Sequence, residues 1–333
     1  MNFEADQLLE LPFDQYQRYR LLAEVVEVLR PAGRALHILE VGGFPPRLDR
    51  FLPQDEILVA DRPAGAAAGY LQADGARLPF GDREFDLVAS LDTLEHVSPD
   101  RRPAFLNELS RTARDFVALA APFQMSAARE AERIIFDFIR LHAGYEHAFF
   151  KEHLELPAPD LVASEAALVA QGFHTLILPN GRLDHWLMLM AVYYILDGRA
   201  EYAELKNKAM AYWNRRCYRA DNLEPAYRHL VVASRRPFAD AWPRLQGLCS
   251  DRTALPLDFN AAKAVIELAR LDSDRGLRNR IAELEDQLAA HECEAVGLRT
   301  ELDSLRGFVD RLKSSLAYRG YARFFKGQEK SGS

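Results

Sequence analysis

Tyr70-Leu71-Gln72-Ala73-Asp74-Gly75-Ala76-Arg77-Leu78-Pro79-Phe80-Gly81-Asp82-Arg83-Glu84-Phe85-Asp86-Leu87-Val88-Ala89-Ser90-Leu91-Asp92-Thr93-Leu94-Glu95-His96-Val97-Ser98 sets the reading of the whole chain. Gly69-Tyr70-Leu71-Gln72 is a weak strand ending near Asp74, and Phe85 to Ser90 is a second one. The same pattern repeats outward. Upstream, His37-Ile38-Leu39-Glu40-Val41 is a short apolar strand followed by Gly42-Gly43, and Ile57-Leu58-Val59-Ala60 is another that ends at Asp61. Downstream, Pro103 to Ala113 reads as a helix, and Asp115 to Ala120 as a strand stopped by Pro122. Short apolar strands alternating with helices predict a parallel sheet covered on both faces. Residues 1–34 read as helical, with Leu8, Leu9, Tyr16, Tyr19, Leu22 and Val25 at helix-like intervals before Pro31-Ala32-Gly33.

A strand, then glycines, then a helix, then an acidic residue about 20 positions on form the dinucleotide-type signature. Asp61 follows Gly42 by 19 residues. Glycine lets the backbone approach a ligand closely, and a carboxylate at the second strand end can accept both hydroxyls of a ribose. On its own, Gly42-Gly43 is equally a tight strand-to-helix turn.

Four further features occur in order: Asp74, then Leu78-Pro79-Phe80, then Phe85-Asp86-Leu87-Val88, then Leu94-Glu95-His96-Val97. With them, the chain resembles the class I S-adenosylmethionine-dependent methyltransferases of the type 11 kind. The resemblance covers residues 35–123 and extends more loosely to residue 234. It implies a Rossmann-like doubly wound seven-stranded sheet of order 3-2-1-4-5-7-6, with the seventh strand antiparallel beside the fifth. It also implies site roles, with S-adenosyl-L-methionine as cofactor. Glu40 closes the first strand, and Gly42 and Gly43 lie under the methionine part. Asp61 binds the ribose. Asp74 meets the adenine amino group, with Gly75 and Ala76 beside the ring. Leu91 and Asp92 line the methionine and sulfonium end. One departure stands out: the later glycines of the family motif are replaced within Phe44-Pro45-Pro46.

Beyond Pro122, residues 124–158 read as mostly helical, 160–171 as a helix, and Phe173 to Leu178 as a sixth strand closed by an Asn180-Gly181 turn. Residues 184–220 read as helical and Tyr227 to Ser234 as the seventh strand. Helical insertions 124–158 and 184–225 result, and the first begins where an open parallel sheet binds ligands. It holds His142, Glu146, His147 and His153. Histidine titrates near neutrality and suits a general base. His147 and Glu146 are the first candidates, with His153 and with His96 of the Glu95-His96 pair. Spacings of 5 and 6 are not a single-face metal-ligand set, so no metal is expected there. The stripe from Trp186 to Tyr194 reads as core.

Charged residues make up 27% and hydrophobic ones 49%, which excludes a mainly disordered chain. With 42 Lys and Arg against 49 Asp and Glu, the formal charge is −7, opposite to what phosphate contacts with nucleic acid need. Three cysteines without ligand spacing exclude a disulfide framework or cysteine-held zinc. No signal segment or run of 18 apolar residues is present, so the expected location is cytoplasmic.

The divisions expected are an N-terminal helical segment (1–34), a methyltransferase domain (35–235), a connector (236–270), a coiled coil (271–317) and a basic-aromatic tail (318–333). From Leu277 to Leu316 apolar residues recur in alternating steps of four and three. A parallel in-register dimer would pair Glu294 with Arg299 and Glu301 with Arg306, which predicts a parallel homodimer. The tail Ser315 to Lys326 predicts contact with an anionic membrane surface, peripheral to the inner face. A catalytic domain, coiled coil and such a tail resemble methyltransferases that accompany bacterial surface-polysaccharide assembly, which implies a glycan or other small hydroxyl acceptor. The alternatives are a degenerate methyltransferase fold serving as a coiled-coil scaffold, and a lipid or quinone methyltransferase.

Overall fold

The β-branched and aliphatic runs pair side by side. The computed structural model describes residues 7–63, 65, 68–197, 200–250 and 259–314, without the side chains of 201, 259–280, 283 and 312. The chain divides into two units, residues 1–271 and 272–333.

In the first unit, helix α1 (Phe13–Leu29) precedes strands β1 (His37–Val41), β2 (Glu56–Asp61), β3 (Tyr70–Gln72) and β4 (Phe85–Leu91). Then come α2 (Arg102–Thr112), β5 (Ala113–Ala121), α3 (Ser126–His142), α4 (Ala148–Glu155), α5 (Leu161–Ala170) and β6 (His174–Arg182). Helices α6 (Leu183–Leu196) and α7 (Ala203–Arg216), strand β7 (Ala226–Ser234) and α8 (Trp242–Gly247) follow. The sheet order is β3-β2-β1-β4-β5-β7-β6, as the family resemblance implies. The first five strands are parallel, and β7 is antiparallel to both β5 and β6.

Successive side chains on a strand point to opposite faces, and here both faces are buried. Ile38, Leu87, Ala89, Ala118 and Val232 pack on one side with Leu22, Val25 and Val26 of α1. Leu39, Val88, Val117, Leu119 and Val231 pack on the other with Leu106 and Leu109 of α2. The two insertions build a third core. On α3, Ala128, Ala131, Ile135, Phe138 and Ile139 recur at helical spacing and meet Trp186, Leu187 and Tyr194 of α6.

Three sequence expectations change. No α-helix follows the glycines; a single 3-10 turn, Leu48–Arg50, leads from β1 to β2. Phe44 and Pro45 each precede a proline, which disfavours the α region at both positions. Asn180-Gly181 is not a turn after β6 but part of it. Asn180 pairs with Arg228, and Gly181 adopts φ +76°, which keeps the strand running to Arg182 opposite Ala226. The long helix α9 (Phe259–Ser314) begins inside the segment read as a connector.

In the second unit the described seam positions Ile281, Leu284, Leu288, Leu298, Leu302, Leu305 and Val309 are exposed on α9. Leu316 and the basic-aromatic tail lie outside the described residues. Among the described residues no helix is long and apolar enough to cross a membrane.

Candidate active site

The carboxyl ends of β1, β2 and β4 open onto a cleft of about 930 Å³, within the usual range of ligand sites. Of the site residues named from the sequence, all but Glu40 and Glu146 line it. Gly42 adopts φ +87°, a region that side chains rarely enter. A Cβ there would lie 2.2 Å from Thr93 Oγ1, and one on Gly43 would lie 2.2 Å from Glu40 Cδ. Gly42 is therefore required twice, by conformation and by space, and Gly43 by space. Thr93 Oγ1 lies 3.4 Å from the Gly42 carbonyl, placing the β4 exit against the glycine turn. Glu40 is wholly buried beneath that turn, and burial pushes its carboxyl up to about 8.

Asp61 stands at the end of β2. Its Oδ2 accepts the Phe44 N–H at 3.0 Å and its Oδ1 the Arg62 N–H at 2.7 Å. Each oxygen keeps a further lone pair. Asp74 accepts the Ala76 N–H at 3.1 Å and is ion-paired with Arg101. The backbone bond first, then Arg101, holds its carboxyl below the usual range. Arg101 therefore shares Asp74 with any base docked there.

Asp92 lines the cleft and is tied into an ion cluster. It adopts φ +49°, and its Oδ2 meets Arg18 Nη1 at 2.5 Å and Arg228 Nη2 at 2.8 Å. Arg228 Nη2 also meets Asp14 Oδ1 at 2.5 Å, and Arg18 reaches Asp14 at 3.7 Å. Two guanidiniums and two carboxylates thus form a charge-balanced cluster that joins α1, the β4 exit and β7. Burial opposes the charge on Asp92, but Arg228 and Arg18 outweigh it and keep the carboxyl low. Arg18 and Arg228 escaped the sequence reading. The available signal was Arg228 itself, a charged residue inside an apolar strand.

The other wall carries imidazoles. His96 Nε2 and His153 Nε2 face each other at 3.2 Å. His96 Nδ1 lies 2.9 Å from Glu152, and His153 Nδ1 lies 2.8 Å from Glu132, which also accepts the Tyr227 hydroxyl at 2.9 Å. Burial, then His153, lowers the pKa of His96. At His153 burial opposes the charge, but the Glu132 bond and the Glu95 carboxylate outweigh it and raise the pKa. Beside them Glu95 is buried, and burial followed by Asp92 pushes it up to about 8. His147 precedes α4 with its ring 4.9 Å from that of Phe150 and 5.5 Å from that of Tyr194. Burial lowers its pKa, and its Nδ1 is buried with no hydrogen-bond partner among the described residues. Glu146 faces elsewhere and pairs with Lys151 at 2.7 Å. Trp186, Met190, Tyr193 and Tyr194 belong to the insertion core and also line the cleft, so the stripe read as core serves both.

A family model described as a methyltransferase domain matches residues 53–117. That span holds β2, β3, β4, Asp61, Asp74 and Asp92, and the match supports methyl transfer with S-adenosylmethionine as cofactor. No curated protein matches the chain. Among solved structures, the chain is similar to magnesium protoporphyrin IX methyltransferase from Synechocystis with bound SAH, at 12% identity and TM-score 0.40, covering 67% of this chain and 86% of that one. It is also similar to a SAM-dependent methyltransferase from Thermotoga maritima, a possible histamine N-methyltransferase, at 14% identity and TM-score 0.39, covering 69% and 99%.

Proposed function

We propose that this chain is an S-adenosylmethionine-dependent methyltransferase that methylates a hydroxyl oxygen of a glycan or other small acceptor. The observation that carries the reading is one continuous cleft running from the ribose-type carboxylate Asp61, past the glycine turn, to three imidazoles. When bound, the cofactor supplies an electrophilic methyl group on a sulfonium. The chain's residues do the rest. Asp61 accepts the ribose hydroxyls through its spare lone pairs, and Gly42 and Gly43 clear the backbone for the methionine part. The balanced cluster of Arg18, Arg228, Asp14 and Asp92 fixes the floor without adding net charge. Holding donor and acceptor in line supplies most of the rate.

His147 is the favoured base. Its lowered pKa keeps the ring neutral at pH 7, and its Nδ1 has no hydrogen-bond partner among the described residues. His96 and His153 are engaged with each other and with carboxylates, and Glu146 does not line the cleft. Phe149, Phe150, Trp186, Tyr193 and Tyr194 form an aromatic wall of the cleft. That wall also favours a second reading, in which the acceptor is the aromatic ring hydroxyl of a quinol or related lipid. The exposed seam on α9 supports pairing of residues 277–316 with a second copy in parallel. The dimer brings two basic-aromatic tails together at a membrane surface.

Calorimetry of the intact protein with S-adenosylhomocysteine tests the reading. Asp61→Ala is expected to weaken binding by roughly 1.5–3 kcal/mol with the fold kept. His147→Ala is expected to lower turnover roughly 10²–10⁴-fold with cofactor affinity unchanged. Absence of binding to the intact protein would leave the scaffold reading in its place.

A further inference from the structure

The two imidazoles at the acceptor end of the cleft pose a problem of protons. Each Nδ1 lies against a carboxylate, His96 on Glu152 and His153 on Glu132. A carboxylate is an acceptor only, so each Nδ1 carries the hydrogen, and in the neutral rings each Nε2 is left with a bare lone pair. Yet the two Nε2 atoms face each other at 3.2 Å. Two lone pairs at that distance repel unless something positive lies between them. Beside them is Glu95, 3% exposed, with neither carboxylate oxygen hydrogen-bonded among the described residues. Ligand atoms of Glu95, His96 and His153 all lie within 4.8 Å of one another.

From this juxtaposition we infer that Glu95, His96 and His153 bind a divalent transition-metal ion, zinc being the reference case. Zinc takes imidazole nitrogen at about 2.0–2.1 Å. Two such nitrogens 3.2 Å apart subtend an angle of about 103° at the ion, close to tetrahedral. A buried carboxylate with no partner is costly unless a cation compensates it, and Glu95 supplies the third ligand. The pairs Glu152–His96 and Glu132–His153 are the carboxylate–histidine arrangement that orients metal-bound imidazoles. Two histidines and one carboxylate leave an open position, the pattern of catalytic rather than structural sites. Histidines spaced along the insertion predict no such set, because the ligands come from two separate segments, the turn after β4 and helix α4.

The role rests on the methyltransferase reading. An acceptor oxygen at the open position loses its proton more readily. The proton passes to His147, an O–CH3 bond forms as the C–S bond of the cofactor breaks, and the ion keeps its oxidation state.

The test uses the untagged full chain, stripped with a chelator and titrated with Zn²⁺ and no cofactor, with bound metal measured by plasma mass spectrometry after desalting. One equivalent per chain is expected, lost in His96→Ala and in Glu95→Gln. Glu132→Gln is expected to weaken uptake about 10- to 100-fold. His96 is partly exposed, so its variant retains the fold, and each variant is checked by its affinity for S-adenosylhomocysteine. No stoichiometric uptake by a chain that still binds that ligand would overturn the metal site alone, leaving a shared proton between the imidazoles. Uptake unchanged in both ligand variants would overturn it equally. Metal uptake without cofactor binding would support the site and remove the methyltransferase reading.

Discussion

Arg228→Met is the sharpest test of the cluster beneath the cleft. Arg228 is fully buried on β7 and holds Asp14 at 2.5 Å and Asp92 at 2.8 Å. At 2.8 Å and an effective dielectric of about 20, one such pair is worth about 6 kcal/mol of gross Coulomb energy. Desolvation consumes much of that gain, and after the change Arg18 still faces both carboxylates. What is left is one uncompensated buried charge, a situation that costs about 3–5 kcal/mol. Met fills most of the volume of the Arg stem, so a cavity adds little.

For a domain of this size each kcal/mol moves the melting temperature by roughly 2–4 °C. Arg228→Met is therefore expected to melt about 6–20 °C lower. Asp92→Asn, tolerable at φ +49° because Asn accepts that conformation, leaves the opposite imbalance. The double variant is neutral again. Urea melts of all four proteins should give a coupling energy of about 2–3 kcal/mol, with the double variant less destabilised than the two single losses combined. Additive losses would show that the four groups do not act as one balanced unit, and the account of the cleft floor would fall with them.

Two further outcomes follow from the glycine turn. Glu40 is held near 8 by burial, above its unfolded value. The fold therefore binds its proton more tightly than the unfolded chain does, and stability falls as pH rises from about 4.5 to 8. Glu40→Gln should remove that slope, so the urea midpoints of parent and variant diverge from pH 5 to pH 9 in favour of the variant, by a few kcal/mol at most. Equal midpoints across that range would mean the carboxyl is not desolvated. Gly42→Ala combines a strained φ, about 1–2 kcal/mol, with a Cβ 2.2 Å from Thr93. Loss of S-adenosylhomocysteine binding is expected, with partial recovery when Thr93→Ala is added. A Gly42→Ala protein that binds as tightly as the parent would contradict the close approach of backbone to ligand.

The strands were legible because each is a local fact. Ile38 and Leu39, or Val231 and Val232, are apolar neighbours in sequence and go to opposite cores, and that pattern needs no knowledge of partners. Asp61 and Asp74 were legible for a related reason. A strand end followed by a turn fixes where the side chain stands before any long-range contact forms. The helix expected after Gly43 failed where local chemistry overrode the general motif, at Pro45 and Pro46. Asn180-Gly181 failed because a long antiparallel partner, β7, carried the strand through a local turn signal.

The chemistry at the far end of the cleft was only half legible, and the reason is the distance in sequence between the groups that share it. His96 and His153 are 57 residues apart, Arg228 and Asp14 are 214 apart, and Tyr227 and Glu132 are 95 apart. No window of sequence contains any of these pairs, so each residue alone has a bland reading: a surface histidine, a helix acid, an arginine in a strand. The insertion at 124–158 resolves this physically. Its helices bury Ile135, Phe138 and Phe150 against α6, and that packing delivers Glu132, Glu152 and His153 to the β4 exit, where Glu95 and His96 already stand. Apolar packing fixes the position of groups that would repel or be desolvated without one another. A variant that loosens this packing, away from every charged group, should then disturb the imidazole pair before it disturbs the sheet. Phe138→Ala, at 1% exposure, is the natural choice.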